Sequence, residues 1–211
     1  MNVQRTVAAL AAAFALGGCA GTFRSHEPSP GIYRLHASPV ATVATPLEAT
    51  LVIAEPAARH ELDTDRIVVT LRDRRLDAYA GARWSAPLPK LVERLLVDGF
   101  RSSGAFHAVV TERSAFGGRY LLQLEIDEFA ADYGAPGGPP VARVALHGEV
   151  GVSGERRLIG VVSGSAAVPA SADRQREVIA AFEAAYADAA QQIIAAVNAA
   201  AAVDAAAPGH H

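Results

Sequence analysis

Hydrophobic and polar positions alternate most regularly in the second half of the chain. Tyr120, Leu122, Leu124 and Ile126 share one face of a strand predicted over 119–129, and Leu121, Gln123, Glu125 and Asp127 share the other. Similar amphipathic runs cover 141–153 and 156–168. A Gly/Pro-rich segment at 134–140 and a tight Gly154-Glu155 connection separate them, so long antiparallel strands are expected. Upstream, Ile67 to Leu71 is β-branched, Arg72-Asp73-Arg74-Arg75 forms a charged turn, and Leu76 to Tyr79 alternates, which predicts a hairpin. Shorter strands are read at 31–36, 50–54 and 106–111, with 37–48 as a loop.

Two segments change period. After Pro87 and Pro89, Leu91, Leu95, Leu96 and Phe100 fall on one helical stripe, and Gly104 stands where a helix C-cap belongs. A second helix is predicted from about Asp173, a candidate N-cap, towards Asn198. Its stripe is Val178, Phe182, Tyr186, Ala189, Ile193 and Val197. The order of a hairpin, a helix, long antiparallel strands and a closing helix predicts an α+β fold. It is one domain, an antiparallel or mixed sheet with two main helices packed on it. The domain is expected over 31–198, followed by a flexible Ala-rich tail at 199–211.

The N-terminus carries a different pattern. Arg5 precedes a ten-residue apolar run from Val7 to Leu16, which closes in Leu16-Gly17-Gly18-Cys19. Such a run makes a helix of roughly 15 Å, about half a bilayer core, so it reads as a secretory signal peptide over 1–18. The Leu-Gly-Gly-Cys ending resembles the bacterial lipobox, whose small residues precede a lipid-modified cysteine. Cys19 is the only cysteine of the chain. It is therefore the expected lipidation site, and residues 19–30, with Gly21, Pro28 and Pro30, read as a lipidated tether. Ala20 follows the cysteine where inner-membrane lipoproteins of enterobacteria commonly have Asp. By that resemblance the expected location is the outer membrane, facing the periplasm.

Composition narrows the function classes. The chain has 19 Lys and Arg against 22 Asp and Glu, a formal charge of −3, and Arg5 is the only charged residue of the signal segment. This mild acidity gives no electrostatic footprint for nucleic acid. One cysteine excludes an intramolecular disulfide and a multi-thiolate metal site. No nucleophile elbow, phosphate loop, dinucleotide fingerprint or zinc-protease motif occurs, so no catalytic residue, cofactor or metal is assigned. The seven histidines are scattered, and His107 and His147 lie in predicted strands. Glu125, Asp127 and Glu128 resemble paired carboxylates but also fit the solvent face of a strand.

Arg83-Trp84-Ser85-Ala86-Pro87-Leu88-Pro89 contains the only tryptophan, between the hairpin and the first helix. Trp84 either staples that helix to the sheet or, with Arg83, anchors a protein partner; Trp and Arg are enriched in such anchors. Tyr33-x-Leu35, the strand Ile67 to Leu71, Leu76-x-x-Tyr79, Arg83-Trp84 and Pro87-Leu88-Pro89 follow one another in a recognisable order. Together with the lipobox, they resemble the ABC-type transport auxiliary lipoproteins, the PqiC-like family that accompanies MCE-domain lipid transport systems. The resemblance spans roughly 31–197. It implies an outer-membrane-anchored periplasmic subunit without covalent chemistry, which docks an MCE-domain protein served by a permease and an ATPase. It also implies contact with the membrane through the lipid anchor, and it admits phospholipid as a ligand and a homo-oligomer as the assembly. A structural lipoprotein of another envelope machine, for lipopolysaccharide assembly or secretion, is the alternative.

Overall fold

A computed structural model describes residues 29–36, 42–43, 45–134 and 137–207. The longest strands organise the sheet. Strands β7 (Tyr120–Asp132), β8 (Val141–Val152) and β9 (Arg157–Pro169) form an antiparallel meander, with Glu125 opposite His147 and His147 opposite Ser163. The other edge of β7 is shared end to end by three parallel strands. These are β2 (Leu47–Ile53) at Tyr120–Leu122, β3 (Ala57–Ala58) at Glu125–Ile126, and β4 (Arg66–Thr70) at Ala130–Asp132.

Strand β6 (Phe106–Thr111) extends the sheet beyond β2. Strand β5 (Leu76–Trp84) extends it beyond β4, and the short β1 (Gly31–Tyr33) lies parallel to β5 at the edge. The sheet thus has nine strands and is mixed. With two helices on it, the domain is α+β. The hairpin of β4 and β5 and the antiparallel meander match the sequence expectation. The strand expected over 31–36 is ordered as β only through Tyr33, and Leu35 beyond it is buried.

Alternation in β7 is broken by a bulge between Ile126 and Glu128. Tyr120, Leu122, Leu124 and Ile126 are buried before it, Phe129 and Ala131 after it. The extra residue moves the core-facing set from even to odd positions and keeps a 13-residue strand in one core.

Helix α1 (Leu88–Ser103) packs on β6 and β2, and helix α2 (Gln175–Ala206) on β9 and β8. Pro87 is the N-cap of α1 and Pro89 lies in its first turn, where a missing N–H costs nothing. The helix ends at Gly104, whose φ of 65° suits glycine. Asp173 does not cap α2: the N-cap is Arg174, without a side-chain hydrogen bond, and Asp173 instead accepts from the Tyr133 hydroxyl at 2.8 Å.

The expected tail at 199–211 is helical over its first eight residues, and residues 208–211 lie outside the described residues. Helix α2 continues through Ala206, with Ala201 and Asp204 buried, so its stripe runs on from Val197 by steps of four and three. The alanines let the helix lie close to the sheet. An added Cβ at Gly164 would come within 2.1 Å of the Ala189 carbonyl oxygen, and one at Gly160 within 3.1 Å of the Ala200 Cβ. Gln192 completes the contact: its amide donates to the Ser165 carbonyl at 3.0 Å and accepts from the Ser165 N–H at 3.3 Å. That pair of bonds occupies free backbone groups on edge strand β9.

Candidate functional site

The residues singled out by sequence separate into different environments. Trp84 is 2% exposed. Its ring stands edge-on to Phe129 at 5.9 Å and to Phe182 at 5.4 Å, while those two rings stack at 5.2 Å. The three side chains come from β5, β7 and α2, so Trp84 joins the sheet to the second helix. The expectation of Trp84 as a partner contact is corrected accordingly, because a ring enclosed on these sides presents no surface to a partner. Arg83, its neighbour, points the opposite way and is exposed. One of its guanidinium nitrogens donates to both oxygens of Asp65, at 2.9 and 3.1 Å. Cys19 lies outside the described residues.

The acidic strand and its histidine meet on the open face of the sheet. His147 Nδ1 lies 2.6 Å from Asp127, and Nε2 lies 4.0 Å from Glu125. Ser163 is in register with His147 on β9, yet both ring nitrogens face the carboxylates of β7. The result is a solvent-facing pairing across two strands. His107 similarly faces Glu48 at 3.7 Å, and His36 faces Glu183 at 2.9 Å. Among the described residues no group of three or more His, Cys, Asp and Glu is arranged to hold a metal.

Sequence reasoning missed a buried charge cluster at the C-terminal end of α2. Asp204 accepts from Arg157 at 2.7 Å, from Arg119 at 3.1 Å and from the Tyr120 hydroxyl at 3.1 Å. Burial pushes the Asp204 carboxyl up, but the hydrogen bonds from Arg157, Arg119 and Tyr120 outweigh it and hold the group below its ordinary value. The legible sign was an acid at the next core position in an alanine run. This cluster locks α2 to β9 and to the start of β7, so it serves the fold.

At the opposite end, an open cleft of about 900 Å³ lies between the β4–β5 turn and the segment leading into α2. Arg72, Asp73 and Arg75 form one wall, Ala172 and Asp173 the other, with Tyr133 between them. Burial and the hydrogen bond to Asp173 both raise the Tyr133 hydroxyl, so it stays protonated and acts as a donor. The cleft thus sets two guanidinium groups beside two carboxylates, one of which holds the Tyr133 hydroxyl, with apolar contacts around them.

The geometry defines a small α+β domain: one mixed sheet with two helices, a solvated outer face and an open cleft of mixed charge at one end. The chain belongs to the family of ABC-type transport auxiliary lipoprotein components, whose model matches residues 33–194. No curated protein sequence matches the chain. Among solved structures, it is similar to the DUF330 protein XCC0632 of Xanthomonas campestris, at 26% identity and a TM-score of 0.76. That match covers 84% of this chain and 99% of the other. An uncharacterized protein shares the fold at 16% identity and a TM-score of 0.58, over 83% of this chain and 99% of its own. The hypothetical protein CT253 of Chlamydia trachomatis shares it at 10% identity and 0.53, over 74% and 99%. No helix among the described residues is long and apolar enough to cross a membrane.

Proposed function

We propose that the protein is an outer-membrane-anchored periplasmic subunit of an MCE-type ABC lipid transport system, holding the MCE-domain protein at the membrane without catalysing a reaction. The observation that carries this reading is the family match over 33–194 in a chain that also has a lipobox-like ending at Cys19. Cys19 is the attachment point, and residues 20–30 are the tether. Several acyl chains on one cysteine make attachment stable, whereas a single chain binds only marginally and reversibly. Arg83 remains on the surface as a candidate contact for the MCE protein, and phospholipid and further copies of the chain are additional candidate partners.

Fractionation tests the anchor. Wild-type protein should sediment with outer membrane and resist high salt, and Cys19→Ala protein should leave that fraction while keeping its fold by circular dichroism. Retention of the Cys19→Ala protein in outer membrane at high salt contradicts the reading.

A further inference from the structure

The two ends of the domain differ in their relation to the N-terminus. Arg72, Asp73, Arg74 and Arg75 occupy four consecutive exposed positions in the β4–β5 turn. Across the cleft, the start of α2 adds exposed Arg174 and Arg176. Of the nearby acids, exposed Asp77 accepts only the Ala78 backbone N–H, and the others are engaged by neighbouring groups. Asp73 accepts from the Arg75 backbone N–H at 3.2 Å and lies 4.0 Å from its guanidinium. Asp173 accepts from Tyr133, and Glu177 pairs with Arg176 at 3.1 Å. Arg72, Arg74 and Arg174 form no ion pair among the described residues. Arg34, Arg59, Arg66, Arg94 and Arg156 are unpaired elsewhere among the described residues, but only the β4–β5 turn places three arginines within four positions, at a net charge of +2 with Asp73. Leu76, 47% exposed, stands beside them as an apolar side chain.

Strand direction ties this end to the anchor. Strand β1 is parallel to β5, with Gly31 beside Ala82 and Tyr33 beside Trp84. The backbone thus enters β1 from the side on which β5 begins, which is the side of the arginine turn. From Ala82 back to Arg75 is about 23 Å at the rise of a strand. The chain from Cys19 to Gly31 reaches at most roughly 40 Å. It is long enough to place Cys19 beyond the turn.

We infer that the β4–β5 turn and the arginines at the start of α2 form a membrane-docking face, which rests on a bilayer surface carrying anionic phospholipid headgroups. The inference depends on the lipid anchor proposed above and adds an orientation to it. Guanidinium groups bind phosphate oxygens in a planar, two-pronged fashion. Each positive charge near an anionic surface strengthens association by roughly fivefold, so the turn, at a net charge of +2 with Asp73, contributes about 25-fold. The anchor makes these contacts intramolecular, so weak individual contacts suffice to orient the domain. Docked this way, the domain points its other end, with 77%-exposed Phe116 in the loop before β7, away from the membrane. The two ends are separated by the length of β7, about 40 Å.

The test uses lipidated full-length protein reconstituted into vesicles of phosphatidylcholine alone or mixed with phosphatidylglycerol. An environment-sensitive fluorophore is placed on Gly138→Cys at the arginine end or on Phe116→Cys at the other, and a quencher is attached to lipid headgroups. An added side chain at Gly138 meets no atom within 4 Å, so the label leaves the fold undisturbed. Quenching should be strong at position 138 and weak at 116 in phosphatidylglycerol vesicles. High salt should remove the contrast in the otherwise unaltered protein, and Arg72→Glu/Arg74→Glu/Arg75→Glu should do the same by shifting the docking equilibrium about 25-fold or more. Equal quenching at both positions in protein that floats with the vesicles overturns the docking face and leaves the anchor standing. Protein that fails to float with either vesicle overturns the anchor and the orientation built on it.

Discussion

Replacing Asp204 with alanine removes the acceptor of three hydrogen bonds at the end of α2. Stranding a fully buried charge costs about 3–5 kcal/mol, but the partners here have alternatives. The side chains of Arg119 and Arg157 are 37% and 35% exposed and can rehydrate, and Arg157 keeps Glu155 at 2.8 Å. The buried Tyr120 hydroxyl keeps the Ala201 carbonyl at 3.3 Å. The loss should therefore approach that of one charge-assisted hydrogen bond, about 2 kcal/mol. Asp204→Asn, which retains an acceptor but no charge, should lose about 1 kcal/mol. Urea unfolding should show a lower midpoint with an unchanged slope, and amide exchange should accelerate over 197–206. The pH dependence has a definite sign. The folded carboxyl titrates below its ordinary value, so its stabilisation is complete above the unfolded value of about 4 and fades as pH falls through the folded one. The gap between wild type and Asp204→Asn should close in acid. An alanine variant within about 0.3 kcal/mol of wild type, with unchanged exchange, would refute the reasoning, because one lost hydrogen bond already exceeds that.

Three further outcomes follow from the packing. Trp84→Ala should destabilise the domain by about 3–5 kcal/mol in urea titration, since it empties a buried space between Phe129 and Phe182; a change near zero would return the ring to the surface. Gly164→Ala forces a methyl against the Ala189 carbonyl and should cost about 1–3 kcal/mol, whereas Gly138→Ala should be close to neutral by the same titration. Tyr186→Phe should be neutral or stabilising by thermal melting. Its buried hydroxyl has no hydrogen-bond partner among the described residues, and a clear loss of stability would mean it has one.

Local patterns made the elements legible, and long-range contacts decided their arrangement. Alternation in β7 to β9 and the stripes of α1 and α2 were visible because each repeats at its own period. That β2, β3 and β4 line one edge of β7 in parallel leaves no local trace, because parallel partners are joined by long crossovers. The bulge near Asp127 was hidden because one added residue merely reverses the phase of alternation. The extent of α2 was underestimated for a physical reason. Alanine contributes little hydropathy, so the stretch holding Ala200, which fits closely against Gly160, reads as low complexity. The site was less legible than the fold. Trp84 drew attention as a rare residue, yet its burial depends on Phe129 and Phe182, which are distant in sequence. The arginine turn was recognised only as punctuation until the parallel pairing of β1 and β5 related it to the tether.

The most direct test of the central claim is gentle crosslinking in native membranes, affinity purification through a C-terminal tag, and mass spectrometry of the recovered proteins. The account predicts an MCE-domain protein with its permease and ATPase. Recovery of a different envelope machine, with no MCE-domain protein among the crosslinked partners, would contradict it.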